Sequence, residues 1–199
     1  MDAYEFDFQF LHGEEITPLI DELGALRIAV FREFPYLYEG TLEYERPYLK
    51  RYAASERSLI VTMRHGGKLI GATTCIPLAD EMEEFRRPFE AQNLPIEDYF
   101  YFGESIILPY FRGRGSGKQF FRFREDHAAS FGGCSFSTFC AVDRPENHPD
   151  KPANHRPLHE FWERQGYSRQ ENLQCRLNWQ EPGSDEDVPH TLTFWVKPL

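Results

Sequence analysis

An apolar run passes without interruption into alternating glycines in Glu104-Ser105-Ile106-Ile107-Leu108-Pro109-Tyr110-Phe111-Arg112-Gly113-Arg114-Gly115-Ser116-Gly117-Lys118. A strand that runs straight into such a loop and then opens a helix leaves several backbone N–H groups without intrahelical acceptors. The helix dipole adds partial positive charge at the same place. Glycine lets a ligand approach the backbone with no Cβ in the way. Arg112, Arg114 and Lys118 add full charges, although the chain carries a net charge of -10. The segment therefore reads as a seat for a pyrophosphate or a similar anion.

Two nucleotide loops fail on spacing. A Walker loop needs four residues between its first Gly and its Gly-Lys-Ser/Thr. Gly113 and Gly117 enclose three, and Gln119 stands where the magnesium-binding hydroxyl belongs. The dinucleotide fingerprint needs Gly-x-Gly-x-x-Gly, whereas this loop alternates strictly and falls past the middle of the chain.

The rest of the chain supplies the elements around that loop. Phe6, Phe8 and Phe10 alternate with polar residues over Tyr4–Leu11, the period of a half-buried strand. Leu19, Ile20, Leu23, Leu26 and Val30 repeat at helical spacing behind Thr17, which is expected to cap that helix. A second helix is expected over Leu42–Tyr52. Ser58–Arg64 and Lys68–Ile76 flank His65-Gly66-Gly67 as a hairpin. Further expectations are a helical excursion over Glu81–Gln92, a strand over Tyr99–Leu108, a helix over Ser116–Ser130, a strand over Phe136–Val142 and a helix over Leu158–Gln165. Two closing strands are expected at Gln174–Trp179 and Thr191–Val196. Asp143–Arg156 contains Pro145, Pro149 and Pro152 and reads as a loop that covers a site. This order predicts an α/β (α+β) fold in one domain over residues 1–199, with a central mixed, mostly antiparallel sheet flanked by helices.

Composition narrows the function. The acidic balance argues against nucleic acid as a general partner and suits a cationic acceptor. No stretch reaches the roughly 20 apolar residues of a membrane helix. The amino terminus lacks the basic-then-apolar pattern of a signal peptide, so the expected location is cytoplasmic. Cys75, Cys134, Cys140 and Cys175 form no CxxC or CxxxC pair, and no metal is expected.

Arg112, Gly115 and Gly117 match in place the Arg/Gln-x-x-Gly-x-Gly/Ala signature of the GNAT acetyltransferases, and Pro109 stands three residues before the Arg. The chain thus resembles that family. Leu158–Tyr167, with Phe161, Trp162, Gly166 and Tyr167, resembles the family's Phe-Tyr-x-x-x-Gly-Phe helix end. The resemblance implies transfer of an acetyl group from acetyl-CoA to a primary amine, by direct attack in a ternary complex. It implies that N–H groups across Gly113, Arg114, Gly115, Ser116, Gly117 and Lys118 hold the CoA pyrophosphate. Ile106, Ile107 and Leu108 would pair with the pantetheine arm, and the N–H of Ile107 or Leu108 would receive the oxyanion. The acceptor, a small molecule or a peptide, would lie beside the first two helices, where Tyr36, Tyr38 and Glu39 suit an amine on an apolar body, and Trp162 is expected to contact it too.

Glu104 has two readings: a general base acting through water, or a salt-bridged strand residue. Trp162 falls where many members carry a Tyr that protonates the leaving thiolate, and an indole cannot give up its proton that way. Either Tyr110, His155 or His159 serves instead, or the thiolate leaves without a dedicated acid. A module that binds acyl-CoA without turnover is the alternative reading. A monomer or homodimer is expected.

Overall fold

The computed structural model describes residues 5–199, so the Tyr4 end of the first expected strand lies outside the described residues. Eight strands form one mixed sheet: β1 (Asp7–Leu11), β2 (Leu59–His65), β3 (Lys68–Pro77), β4 (Tyr99–Tyr101), β5 (Ser105–Ile107), β6 (Phe136–Val142), β7 (Ser168–Gln180) and β8 (Asp187–Pro198). The spatial order is β1-β2-β3-β4-β6-β8-β7, with β5 on β3. Every pair is antiparallel except β4 with β6.

Helices cover both faces. On one face α1 (Ile20–Phe31), α2 (Leu42–Ala54) and α3 (Glu83–Glu90) bury Leu23, Leu49 and Phe89 against Ile60, Ile76 and Phe194. On the other face α4 (Ser116–Phe131) and α5 (His159–Arg164) pack Phe121 and Phe161 against Leu59, Val61, Phe102 and Phe139. Coverage on both faces explains why β3 is buried from Leu69 to Pro77 and shows no apolar/polar alternation. Gly66 and Gly67 both take positive φ, as the two-residue turn between β2 and β3 requires.

Two expectations change. Thr17 does not cap α1; it lies in a 3-10 turn over Gly13–Leu19 and bonds Glu14 through its side chain. Pro18, also inside that turn, lacks the N–H an α-helix interior needs, so the α-helix begins only at Ile20. The single strand expected over Tyr99–Leu108 is interrupted. Pairing with β3 runs Pro77↔Phe100 and Ile76↔Tyr101, then Thr73↔Ser105 through Gly71↔Ile107. The register slips by one residue at Phe102-Gly103-Glu104, which is a β-bulge. Thr74 closes it: its carbonyl accepts from Gly103 N, its N–H donates to Glu104 O, and its Oγ1 accepts from Glu104 N.

The bulge also ends the pairing between the middle strands. Phe102 N donates to Thr138 O at 2.8 Å, and beyond that bond β5 stays with β3 while β6 follows β8. A V-shaped gap opens in the middle of the sheet.

Gly103 sits at the apex. A Cβ there would fall 2.1 Å from Tyr52 Oη and 2.7 Å from Thr74 Oγ1. Gly103→Ala is expected to lower stability by about 1–3 kcal/mol through overpacking, read as a fall in Tm. An unchanged Tm would show that the apex is loosely packed.

Candidate active site

The glycine loop folds as its residues require. Gly113 and Gly115 hold φ of 75° and 88°, and Gly115 is the left-handed residue before α4. A Cβ at either position would meet nothing within 4 Å, so the backbone conformation, and not crowding, demands glycine there. Lys118 N and Gln119 N donate back to Gly115 O, while the N–H groups of Gly113, Gly115, Ser116 and Gly117 find no acceptor among the described residues. Arg114 and Gly115 are exposed; Ser116 is buried. Arg112 is a strut: its Nε donates to Ile107 O at 2.7 Å and its Nη1 to Glu33 at 2.8 Å.

β5 leads from this loop back to the bulge with one edge unpaired. Leu108 N donates to Ile70 O, and Glu104 O accepts from Thr74 N. Bonding to β3 alternates along an antiparallel strand, so the N–H groups of Ser105 and Ile107 face the gap. Of the two donors considered for the oxyanion, Leu108 is therefore committed to β3 and Ile107 is available.

The gap is a cavity of about 660 Å³ lined by Phe102, Ser105, Arg124, Phe139, Trp162 and Asp143, among others. A smaller cavity of about 90 Å³ lies between α1, α2 and the β7–β8 hairpin, lined by Arg27, Tyr38, Tyr44, Tyr48, Phe85 and Trp179. Phe31, Tyr36, Gly103, Glu104 and Cys140 line both, so the apex of the V is where the two meet.

A buried charge cluster stands at that junction. Glu104 is 4% exposed; its carboxylate pairs with Arg27 and accepts from Thr74 Oγ1. Arg27 also pairs with Glu45, which is fully buried and takes a 2.8 Å bond from Tyr38 Oη. The guanidinium lies 4.2 Å from the Tyr48 ring centre. Burial disfavours its charge, but Tyr48 and Glu45 hold the group above its ordinary range. Behind it Tyr48 Oη and Tyr52 Oη lie 3.0 Å apart, and Tyr52 donates to Glu81. Burial raises the Glu81 carboxyl above the usual carboxylate range. Two carboxylates on one guanidinium leave the buried cluster net negative, and its Arg27 and Glu104 line the smaller cavity.

The acceptor-side expectations divide. Tyr36 and Tyr38 line the smaller cavity. Tyr36 is fixed through its carbonyl, which accepts from Trp179 Nε1 and Arg144 Nη2. Burial pushes both phenols above their ordinary range. Glu39 lines neither cavity; it pairs with Arg32 at 2.8 Å near the surface. The acids that do face the junction are Glu104 and, through Arg27, Glu45. Trp162 packs edge-on against Phe139 and Trp195 and lines the larger cavity, away from Tyr38. His155 and His159 line that cavity too, while Tyr110 is 69% exposed and lines neither. No group of three or more His, Cys, Asp or Glu side chains among the described residues is placed to hold a metal.

Sequence reading missed Arg27, Glu45 and Arg124. Their signal was a charge inside an apolar stripe: Arg27 follows Leu23 at i+4, and Arg124 follows Phe120 at i+4 and precedes Ala128. The loop over 143–158 does border the larger cavity, through Asp143, Arg144, Pro145, Glu146 and Lys151. Arg144 ties it to the α1–α2 connection by donating to Pro35 O and Tyr36 O, both at 2.7 Å.

Glu81 makes stability depend on pH. Its folded carboxyl is raised above the unfolded value, so its contribution is full below the ordinary carboxylate range and is lost as pH rises through the folded value. Glu81→Gln cannot ionise. Its Tm relative to the parent chain is expected to climb between pH 4 and pH 8 (a working window set by ordinary carboxylate values). A constant difference across that window would remove Glu81 as the titrating group.

The comparisons with known proteins follow the same geometry. The sequence profile of the GNAT acetyltransferase family matches residues 25–167. No curated protein matches the chain. Solved structures with the same fold include a ribosomal-protein-alanine N-acetyltransferase from Brucella melitensis, at TM-score 0.61 and 14% identity, covering 96% of this chain and 99% of that one. Arabidopsis thaliana NAA60 in complex with a bisubstrate analogue has TM-score 0.57 and 13% identity, covering 97% and 99%. An acetyltransferase from Thermus thermophilus has TM-score 0.55 and 18% identity, covering 100% of both chains. A profile match spanning both sides of the V, the glycine loop and α5 makes this chain a member of the GNAT acetyltransferase family.

Proposed function

We propose that this acetyltransferase takes acetyl-CoA in the larger cavity and a primary amine in the smaller one, and joins them at the apex of the V. The observation that carries this reading is the unpaired edge of β5, which runs from the loop N–H groups to the junction of the two cavities. The N–H groups of residues 113–117, with the Arg114 and Lys118 side chains, suit the pyrophosphate. The Ile107 and Ser105 N–H groups, free on the gap side, suit a pantetheine amide and the thioester oxygen. The excess carboxylate at the junction suits an ammonium, and the surrounding rings suit its apolar body.

Glu104 then anchors the acceptor. Its carboxylate is already engaged by Arg27 and by the Thr74 hydroxyl, so the salt-bridged reading fits it better than the general-base reading. The amine reaches the thioester in its neutral form; its proton passes to water, and the carbonyl oxygen takes negative charge against a backbone N–H. The binding-only alternative shares every step up to the chemistry and differs in turnover.

Calorimetric titration with CoA separates these. Gly115→Glu, which puts a carboxylate among the loop N–H groups, is expected to weaken CoA by about 100-fold, or about 2.7 kcal/mol. No binding to the parent chain would overturn the reading. With acetyl-CoA and a panel of primary amines, thiol release is expected from the parent chain. Glu104→Gln is expected to lose at least about tenfold in turnover, about 1.4 kcal/mol, with CoA affinity kept. Binding without release across the panel would leave the sensing module as the function.

A further inference from the structure

Arg124 is the largest charged side chain sealed inside the fold, 2% exposed on the third turn of α4. Its guanidinium is pressed between Phe102 and Phe121, 4.5 Å and 4.7 Å from the ring centres. Nε donates to Phe120 O in its own helix, and Nη1 donates to Glu104 O, the carbonyl at the apex bulge. Nη2 is buried with no partner among the described residues. None of the ion pairs among the described residues includes it. Arg27, the other buried arginine at the junction, has two carboxylates. A buried cation without a counter-ion is costly, and the cost falls when an anion arrives beside it. Burial pulls this guanidinium below its ordinary range, as it does for a charge lacking a partner.

The position of Arg124 says which anion. Arg124 lines the larger cavity. Ser116 to Arg124 is eight residues, about 12 Å along a helix, and Leu108 to Glu104 is four residues, about 13 Å along a strand. The helix and the strand start together at the glycine loop and come together again where Arg124 meets Glu104 O. A pantetheine arm anchored at the loop and lying on β5 therefore ends at Ser105–Glu104, beside the guanidinium. Its sulfur is the atom that becomes anionic there.

We infer that Arg124 is the group that neutralises the departing CoA thiolate, in place of a proton-donating tyrosine. The inference rests on the CoA reading above. The new C–N bond forms as the C–S bond breaks, and the electron pair of that bond leaves on sulfur. The sulfur is held as thiolate against the guanidinium, while the amine's proton goes to water. Free CoA is protonated later, on release into solvent. Ser105 N–H, one pleat deeper than Ile107, then receives the thioester oxygen, and Ile107 N–H receives a pantetheine amide. Trp162 need supply no proton, and it only walls the cavity with Phe139.

The test reads the thiol of bound CoA directly, by thiolate ultraviolet absorbance against pH. A cysteine thiol ionises at about 8.5, and free CoA titrated alongside sets the reference for its own thiol. In the parent protein the bound thiol is expected to ionise at least about one pH unit lower, a tenfold gain in thiolate at neutral pH. Arg124→Met is expected to abolish that shift and Arg124→Lys to keep part of it, with the CoA affinity of both measured alongside. An unshifted thiol in the parent protein overturns the inference, whether or not the variants fold. An equal shift in Arg124→Met, or in Arg124→Lys an absence of any shift at full CoA occupancy, also overturns it. Succinyl-CoA is run against acetyl-CoA as a further arm. A preference for succinyl-CoA that Arg124→Met erases would make Arg124 a carboxylate anchor and overturn the thiolate role. Failure to bind CoA at all is visible in the titration itself and sinks the underlying function along with this step.

Discussion

One extra residue in a strand organises this molecule. The bulge at Phe102-Gly103-Glu104 slips the register between β3 and the strand beside it, and pairing to β6 stops at Phe102. Had the strand stayed regular, β5 and β6 would have bonded along their length and the sheet would be closed. The V exists because the bulge turns β5 away while β6 is held by β8. Its cost is a set of backbone groups that must find other partners. Thr74 satisfies three of them, and Arg124 takes the bulge carbonyl from the helix side.

The charges at the apex follow from that opening. Glu104 lies at the bulge, so its side chain is buried between two cavities instead of facing solvent. A carboxylate there needs a cation, and α1 supplies Arg27. Arg27 in turn draws Glu45 from α2, and Glu45 draws the Tyr38 hydroxyl. Removing Arg27 would leave two buried carboxylates without their cation, at a cost of about 3–5 kcal/mol. The cluster thus locks α1, α2 and the α1–α2 connection onto the sheet, and its unbalanced negative charge gives the smaller cavity its electrostatic character. On the other side of the same bulge, Arg124 places a buried positive charge at the larger cavity.

What could be read along the chain was whatever neighbours in sequence decide. The hairpin at Gly66-Gly67, α4 behind its glycine loop, and β6 at Phe136–Val142 form as their local patterns require. The closing strands are longer than their apolar alternation suggested: Ser168–Gln170 of β7 pairs with β8 where β8 also bonds β6, and at the other end the two strands run on as a hairpin in which His190 stacks on Trp179. Thr17 looked like a cap, but Pro18 beside it favours a tighter turn. Glu39 and Glu104 are alike in sequence: each is one acid beside aromatic or apolar residues. Glu39 is answered at once by Arg32, seven residues away on the surface, while Glu104 is answered by Arg27, which is distant in the chain.

From the sequence alone came the glycine loop at the start of α4, its left-handed residues and the alternation of strands and helices, since these depend on backbone conformation and periodicity over a few residues. The choice between Ile107 and Leu108 needed β3, because a strand's free edge is known only once its partner is in place. The junction of the cavities, the Arg27 cluster and the unpaired Arg124 needed the whole fold. Each joins residues that are separated in sequence and meet only when the sheet opens, and burial there strengthens the electrostatic interactions of groups that would be ordinary surface charges elsewhere.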